Sequence, residues 1–456
     1  MRELRGTLLR NMRSISRDLR AIRPRTRAVA YVAVVVAVPV LLFSTFLPSW
    51  AAPAAVALLI LVFAATCIRT RRLLGHTPAD WALALLVLTL PVGLWASADR
   101  GVTLARTYAF VANLALFWAM AAQSRSGMLR WSGWGMLVAG LLLTGVFLVG
   151  TSFSVAKLPF ISQDIYSLLP GGFTPFWNKS GFNSNLAGGV LALFWPPAVM
   201  LAIAGESRLQ RLLALLTVAA LSTMLLLTQS RGALIAVLVI LPIMITLYDR
   251  RWLTPWLIVV VAGAAFLAAR GGGISPEALL DSSKTLGGSS LQGRTELWSR
   301  AIYLIQDFSF TGVGMGMFEP VVKLLYPPFL IAPDTIFSHA HNIYLQAAAE
   351  MGIPGLVGYV ALYIVLGFLL LRKGMGRGRE RYRIIALGLL GSLLVYLVHG
   401  ITDAASYFLR TAAVVWSLFG LMVAVSTVNI GTDRMPTLAQ TSFRSADMTQ
   451  TSTDER

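Results

Sequence analysis

Residues 353–372 read IPGLVGYVALYIVLGFLLLR. The nineteen residues before Arg372 carry no charge, and a helix of that length crosses a hydrocarbon core of about 30 Å. Comparable runs recur along the whole chain, at about 28–47, 51–68, 81–97, 102–122, 131–150, 185–204, 212–229, 232–248, 252–269, 384–403 and 409–430. The composition agrees: 56% of the 456 residues are apolar, only 13% are charged, and the mean hydropathy is +0.71. A soluble chain carries roughly a quarter of its residues as charges to wet its surface. The expected fold is therefore an all-α polytopic membrane protein with about twelve transmembrane helices. The single cysteine, Cys67, excludes an intrachain disulfide and a cysteine-based metal site.

The charges assign the two sides. A net charge of +18 invites a nucleic-acid partner, but the basic residues are placed as topology signals, and no nucleic acid is expected. Taking alternate connections, 27 of the 38 Lys and Arg fall on one side, which the positive-inside rule makes cytoplasmic. Both termini lie on that side. Residues 1–27 hold nine arginines, with Leu4, Leu8, Met12, Ile15, Leu19 and Ile22 forming one apolar stripe. Such an arm suits an amphipathic helix lying on anionic membrane lipid, or a basic segment that only fixes topology. Residues 28–430 form the membrane domain, and the Ser/Thr-rich stretch 431–456 reads as a disordered tail.

Two loops on the other side, 151–184 and 270–352, are too long to be mere connectors. Within the second, Leu297, Trp298, Ile302 and Ile305 share a helical face, and PVVKLLYPPFL from Pro320 reads as another short amphipathic piece. Four arginines stand near the same side: Arg106, Arg231, Arg294 and Arg410. Arginine matches phosphate oxygens with paired hydrogen bonds and keeps its charge, so the four suit a lipid-linked pyrophosphate, or alternatively snorkel to headgroups. Residues 338–352 read SHAHNIYLQAAAEMG and hold two of the chain's four histidines, His339 and His341. With Ser338 as N-cap, both fall in the first turn of a helix, where the dipole favours a neutral ring fit for general base work. The following GIPG ends this helix and begins the next span. Two histidines one residue apart diverge on a helix, so no metal and no other cofactor is expected. The remaining loop carries FTPFWNKSGFNSNLAGG at 173–189, whose Trp177, Asn178 and Asn183 suit sugar stacking and hydroxyl recognition, or interfacial anchoring.

Together these residues resemble the O-antigen ligase family, within the larger ligase and polymerase group. The resemblance rests on His341–Asn342 followed by Gly352 and Gly355, on TGVGMGMFE from Thr311, on Arg231 in SRG, and on Arg294 in GRTELW. It implies a GT-C-like glycosyltransferase of the bacterial inner membrane, facing the periplasm and carrying a helical periplasmic subdomain. It also implies inverting, metal-independent transfer of O-antigen polysaccharide from undecaprenyl pyrophosphate to a sugar of lipid A–core, completing lipopolysaccharide. On that reading His341 is the base, with His339 either replacing it or orienting the acceptor, and Asn342 positions substrate or the loop. Arg231, Arg294, Arg410 and Arg106 bind the donor pyrophosphate. The alternatives are an O-antigen polymerase, a protein O-oligosaccharyltransferase, and a lipid-phosphate transporter or flippase.

Overall fold

The computed structural model describes residues 24–42, 49–70, 77–125, 127–153, 161, 164–169, 181–269, 291–376, 380–404 and 409–428. Nearly all of the arm expected over 1–27, the tail 431–456, and both Trp177 and Asn178 lie outside these residues.

The chain is an all-α polytopic membrane protein. Its helices in order are α1 (Pro24–Leu42), α2 (Ala51–Thr70), α3 (Asp80–Ala96), α4 (Arg100–Ala121), α5 (Ser132–Gly150), α6 (Ser184–Ala192), α7 (Trp195–Ala204), α8 (Arg208–Thr228), α9 (Arg231–Tyr248) and α10 (Leu253–Ala269). There follow α11 (Leu291–Asp307), α12 (Phe318–Leu325), α13 (Ile343–Met375), α14 (Glu380–His399) and α15 (Leu409–Thr427). Eight of the described helical segments are long and apolar enough to cross a membrane. The expected run 185–204 is interrupted: α6 and α7 meet at Leu193–Phe194, just before Pro196 and Pro197, which cannot donate to the helix ladder. The run expected over 384–403 ends at His399, leaving Asp403 in the turn beyond it.

Depth in the bundle follows the glycines. The α6–α7 segment is 89% buried because Gly188 and Gly189 let neighbouring segments approach. A methyl on Gly189 would lie 2.5 Å from the His399 ring, and one on Gly188 would lie 2.6 Å from Ser230. Around this segment pack α14 and α15, and α15 in turn lies along α4. Phe110, Phe117, Trp416 and Phe419 interlock there in edge-to-face contacts, a geometry that aligns ring edges with ring faces.

The loop elements form a second, smaller core of Leu297, Ala301, Leu304, Val313, Phe318, Val322 and Phe337. The buried stripe of α11 is thus Leu297–Ala301–Leu304, and Ile302 faces outward, one position away from the expected face. This core is joined to the membrane domain through α13, which breaks at Gly352 (φ 70°, ψ 178°). That left-handed conformation ends the first segment, 343–351, as the GIPG reading anticipates. The carbonyls orphaned by the break are taken up by the glycine-rich strip: Val313 N donates to Ala349 O and Gly314 N to Glu350 O, both at 3.0 Å. The Glu350 carboxylate accepts from Gly316 N at 2.8 Å. At Gly312 (φ 62°) a methyl would fall 2.4 Å from the Glu350 carbonyl, so both the turn and the docking exclude any other residue.

Candidate active site

The histidines stand off the helix. Asn342, not Ser338, is the N-cap of α13: its Oδ1 accepts from Tyr344 N and Leu345 N at 2.9 and 3.0 Å. His339 and His341 therefore lie in the preceding loop, and the helix-dipole argument for a neutral ring does not apply to them. Asn342 Nδ2 also donates to Ile401 O at 3.1 Å, and Ile343 N donates to Gly400 O at 2.8 Å. The loop is thereby tied to the turn that follows α14. His341 takes a left-handed backbone (φ 51°), a conformation costly for a residue with a Cβ and concentrated at functional sites.

That turn supplies Asp403. Its Oδ1 accepts from His339 Nε2 at 3.1 Å and from His341 Nδ1 at 3.2 Å, with Ala404 N a third donor at 2.8 Å. The two rings lie 4.2 Å apart. A carboxylate can only accept, so His341 carries its proton on Nδ1 and presents the lone pair of Nε2. Of the two, His341 is the more open ring, with 18% of its side chain exposed against 7% for His339.

Burial alone would push the Asp403 carboxyl up, but the bonds and charges of both histidines hold it well below the usual carboxylate range. Burial pushes His339 below the ordinary imidazole value, opposed by its Asp403 bond and reinforced by His341 and Arg294. Burial also draws Arg294 down, with Asp403 opposing and Arg231 reinforcing. Arg294 stays charged regardless, as guanidinium does in proteins. Arg294 thus feels the charges of both Asp403 and Arg231.

The local sequence positions both arginines. Gln229 (φ 49°) closes α8, Ser230 is the N-cap of α9 and Arg231 opens it; the next residue, Gly232, lies against Thr402, where a methyl would come within 2.4 Å of Oγ1. Arg294 sits in the first turn of α11, and its buried Nε–H has no acceptor among the described residues. A buried donor left unmatched is expensive, and here it belongs to the residue type best suited to an anion.

His339, His341 and Asp403 each offer one ligand atom, all within 4.8 Å, so this set could hold a metal ion. The premise that ruled out a shared metal, two rings diverging on a helix, fails in this structure. The surroundings argue against a cation for a different reason: the Arg294 charge, felt at His339 and coupled to Asp403, repels it, while direct bonds already satisfy the carboxylate. The arrangement suits a hydrogen-bonded acid–base group beside an anion-binding pair.

Residues 216–360 match the profile of a family described as O-antigen ligase. The matched stretch is about a third of the chain, and it supports a likeness to the O-antigen ligase and polymerase group. No curated protein matches the chain. The family region contains Arg231, Arg294, His339, His341, Asn342 and the glycine-rich strip, whereas Asp403 lies beyond it. The other expected residues belong to different contact sets. Arg410 lies 5.2 Å from the centre of the Phe182 ring, and Arg106 packs its stem on Gly316. Asn183 is exposed and caps α6, accepting from Asn185 N at 2.8 Å. His399 packs on Gly189 and Gly232. Asp403 is not singled out by the sequence. An acid at the outer end of the apolar run 384–403 was the available signal.

Proposed function

We propose that this membrane protein is a ligase. It transfers O-antigen polysaccharide from undecaprenyl pyrophosphate to a sugar of lipid A–core at the periplasmic face of the inner membrane, in a GT-C-like architecture. The observation that carries the reading is the pairing of His341 Nδ1 with Asp403 at 3.2 Å, with Arg294 within reach of the charges of Asp403 and Arg231. Asp403 fixes the tautomer and orientation of His341 and stabilises the imidazolium that forms, as the acid does in an acid–base triad. Nε2 takes the proton of the acceptor hydroxyl as its oxygen bonds to the anomeric carbon. The bond from that carbon to the pyrophosphate oxygen breaks on the opposite face, which inverts the centre. Arg294 and Arg231 bind the pyrophosphate and stabilise the charge it gains on leaving. His339, the more buried ring, is the second donor that keeps Asp403 ionised. The donor linkage is already activated, so no nucleotide is consumed.

The test is transfer by the purified protein from an undecaprenyl-pyrophosphate-linked glycan, with lipid A–core and a second lipid-linked glycan competing as acceptors and with chelator present. Product on lipid A–core that is insensitive to chelator is the expected result. Lengthened lipid-linked glycan with untouched core would make the protein a polymerase, and loss of activity on chelation would move the three ligand atoms to a metal role.

A further inference from the structure

A cavity within the membrane domain shares a wall with the histidine loop but contains neither Arg231 nor Arg294. Ile343 and Ala404 form part of that wall, each adjacent in sequence to a residue of the site, Asn342 and Asp403. Gln346 reaches both: it lines the cavity while its Oε1 accepts from Ala340 N, between the two histidines, at 2.8 Å.

The lining is chemically specific. Arg106 and Glu350 face the cavity with Asn113 and the phenols of Tyr359, Tyr363 and Tyr396. Asn113 is only 5% exposed, and its Oδ1 has no hydrogen-bond donor among the described residues. An amide oxygen buried without a donor is costly unless a ligand or ordered solvent completes it. One side of the cavity is an aromatic wall: Phe110 stands edge-on to Trp416 at 5.4 Å and to Tyr359 at 6.5 Å.

We propose that this cavity is a subsite for one sugar ring of the acceptor glycan, an inference that rests on the ligase reading above. Asn113, Gln346 and the tyrosines set around a single arginine offer both donors and acceptors, which suits neutral hydroxyls that do the same. The aromatic wall offers a face for the apolar side of a pyranose ring. In-line displacement requires the acceptor oxygen to approach the anomeric carbon from the face opposite the pyrophosphate. The arginine pair lies with the leaving group, and this cavity meets the histidine loop without it. Asn113 accepts from one ring hydroxyl, and Gln346 couples the occupied cavity to the loop that carries His341. Arg106 thereby binds the acceptor rather than the donor.

The experiment compares wild type with Asn113→Leu and Tyr359→Phe, each as the full chain in lipid nanodiscs. Steady-state transfer is measured against donor and acceptor separately. Saturation-transfer NMR then reads binding of two probes without turnover: oligosaccharide released from lipid A–core, and oligosaccharide released from the lipid-linked donor. Asn113→Leu should raise the acceptor KM about tenfold, the equivalent of one lost hydrogen bond, leave the donor KM within about twofold, and weaken the core-oligosaccharide signal. Tyr359→Phe should act in the same direction by a smaller factor, and it retains the ring should the leucine variant misfold. Transfer to core with an unchanged acceptor KM in both variants would overturn the subsite while leaving the ligase reading intact. Variant-sensitive binding of the core probe without any transfer to core would keep the subsite and remove that reading. A variant effect confined to the donor probe would overturn the acceptor assignment.

Discussion

The short helix 343–351 braces two irregular segments, and they are held in opposite ways. At its N-terminal end the histidine loop is tied by side chains: the Asn342 cap, Gln346, and an Asp403 oxygen shared by both rings. At its C-terminal end the strip 311–317 is tied mostly through backbone groups that meet the broken helix at Gly352. The first segment presents titratable groups and the second presents none, its alternate residues being glycine. A chemical site needs particular atoms in particular protonation states, whereas a brace needs only close backbone approach. Substitutions should therefore separate activity from stability between the two ends.

The sharpest break is His341→Ala. Loss of a general base should lower kcat by about 10²–10⁴-fold with the melting temperature nearly unchanged, since the ring is partly open. Near-normal turnover would shift the base to His339. Asp403→Asn should cost about 10²-fold, because an amide cannot hold the same tautomer of two histidines. Retained activity would mean the carboxylate is structural only. Arg294→Lys comes next, at about tenfold or more in kcat/KM, as an ammonium cannot make the paired phosphate contact. An unaffected donor KM and kcat would remove Arg294 from the pyrophosphate site.

Gly312→Ala should invert the pattern. A methyl 2.4 Å from the Glu350 carbonyl, at a left-handed φ, should cost about 1–3 kcal/mol. It should appear as a lower melting temperature and yield, with turnover per folded molecule close to wild type. Turnover lost at full stability would place chemistry in the strip. The smallest effect is on pH. His339 is held below its ordinary value, so the unfolded chain binds that proton first. The associated stability is present above about pH 6.5 and declines as pH falls below it. Depression of Asp403 adds stability that is lost only at still lower pH, as the folded carboxyl protonates. Melting curves at pH 7.5 and 5.5 should show a decline in wild type that His339→Asn reduces. Equal declines would mean that neutral His339 contributes nothing to the fold.

Much of the membrane domain was legible in the sequence because burial in lipid needs only length and apolarity, which are local. The break before Pro354 was also local, as was the choice of Arg231, Arg294 and His341, whose neighbours carry the family pattern. Local reading failed where two capping residues compete. Ser338 and Asn342 both suit an N-cap, and Asn342 prevails because its amide also reaches Ile401 O, 59 residues away. That outcome moved both histidines off the helix and let their rings meet.

The sequence by itself determined the class of fold and the residue types able to carry the chemistry. Only the tertiary structure decided that Asp403 joins the histidines, that Arg106 stands with Glu350 around a cavity of its own, and that Gly312 docks on a broken helix. The physical reason is range. Hydrophobic length and backbone propensity act within a turn or two of the chain, whereas a carboxylate shared by residues 62 and 64 positions away exists only once the bundle has closed around it.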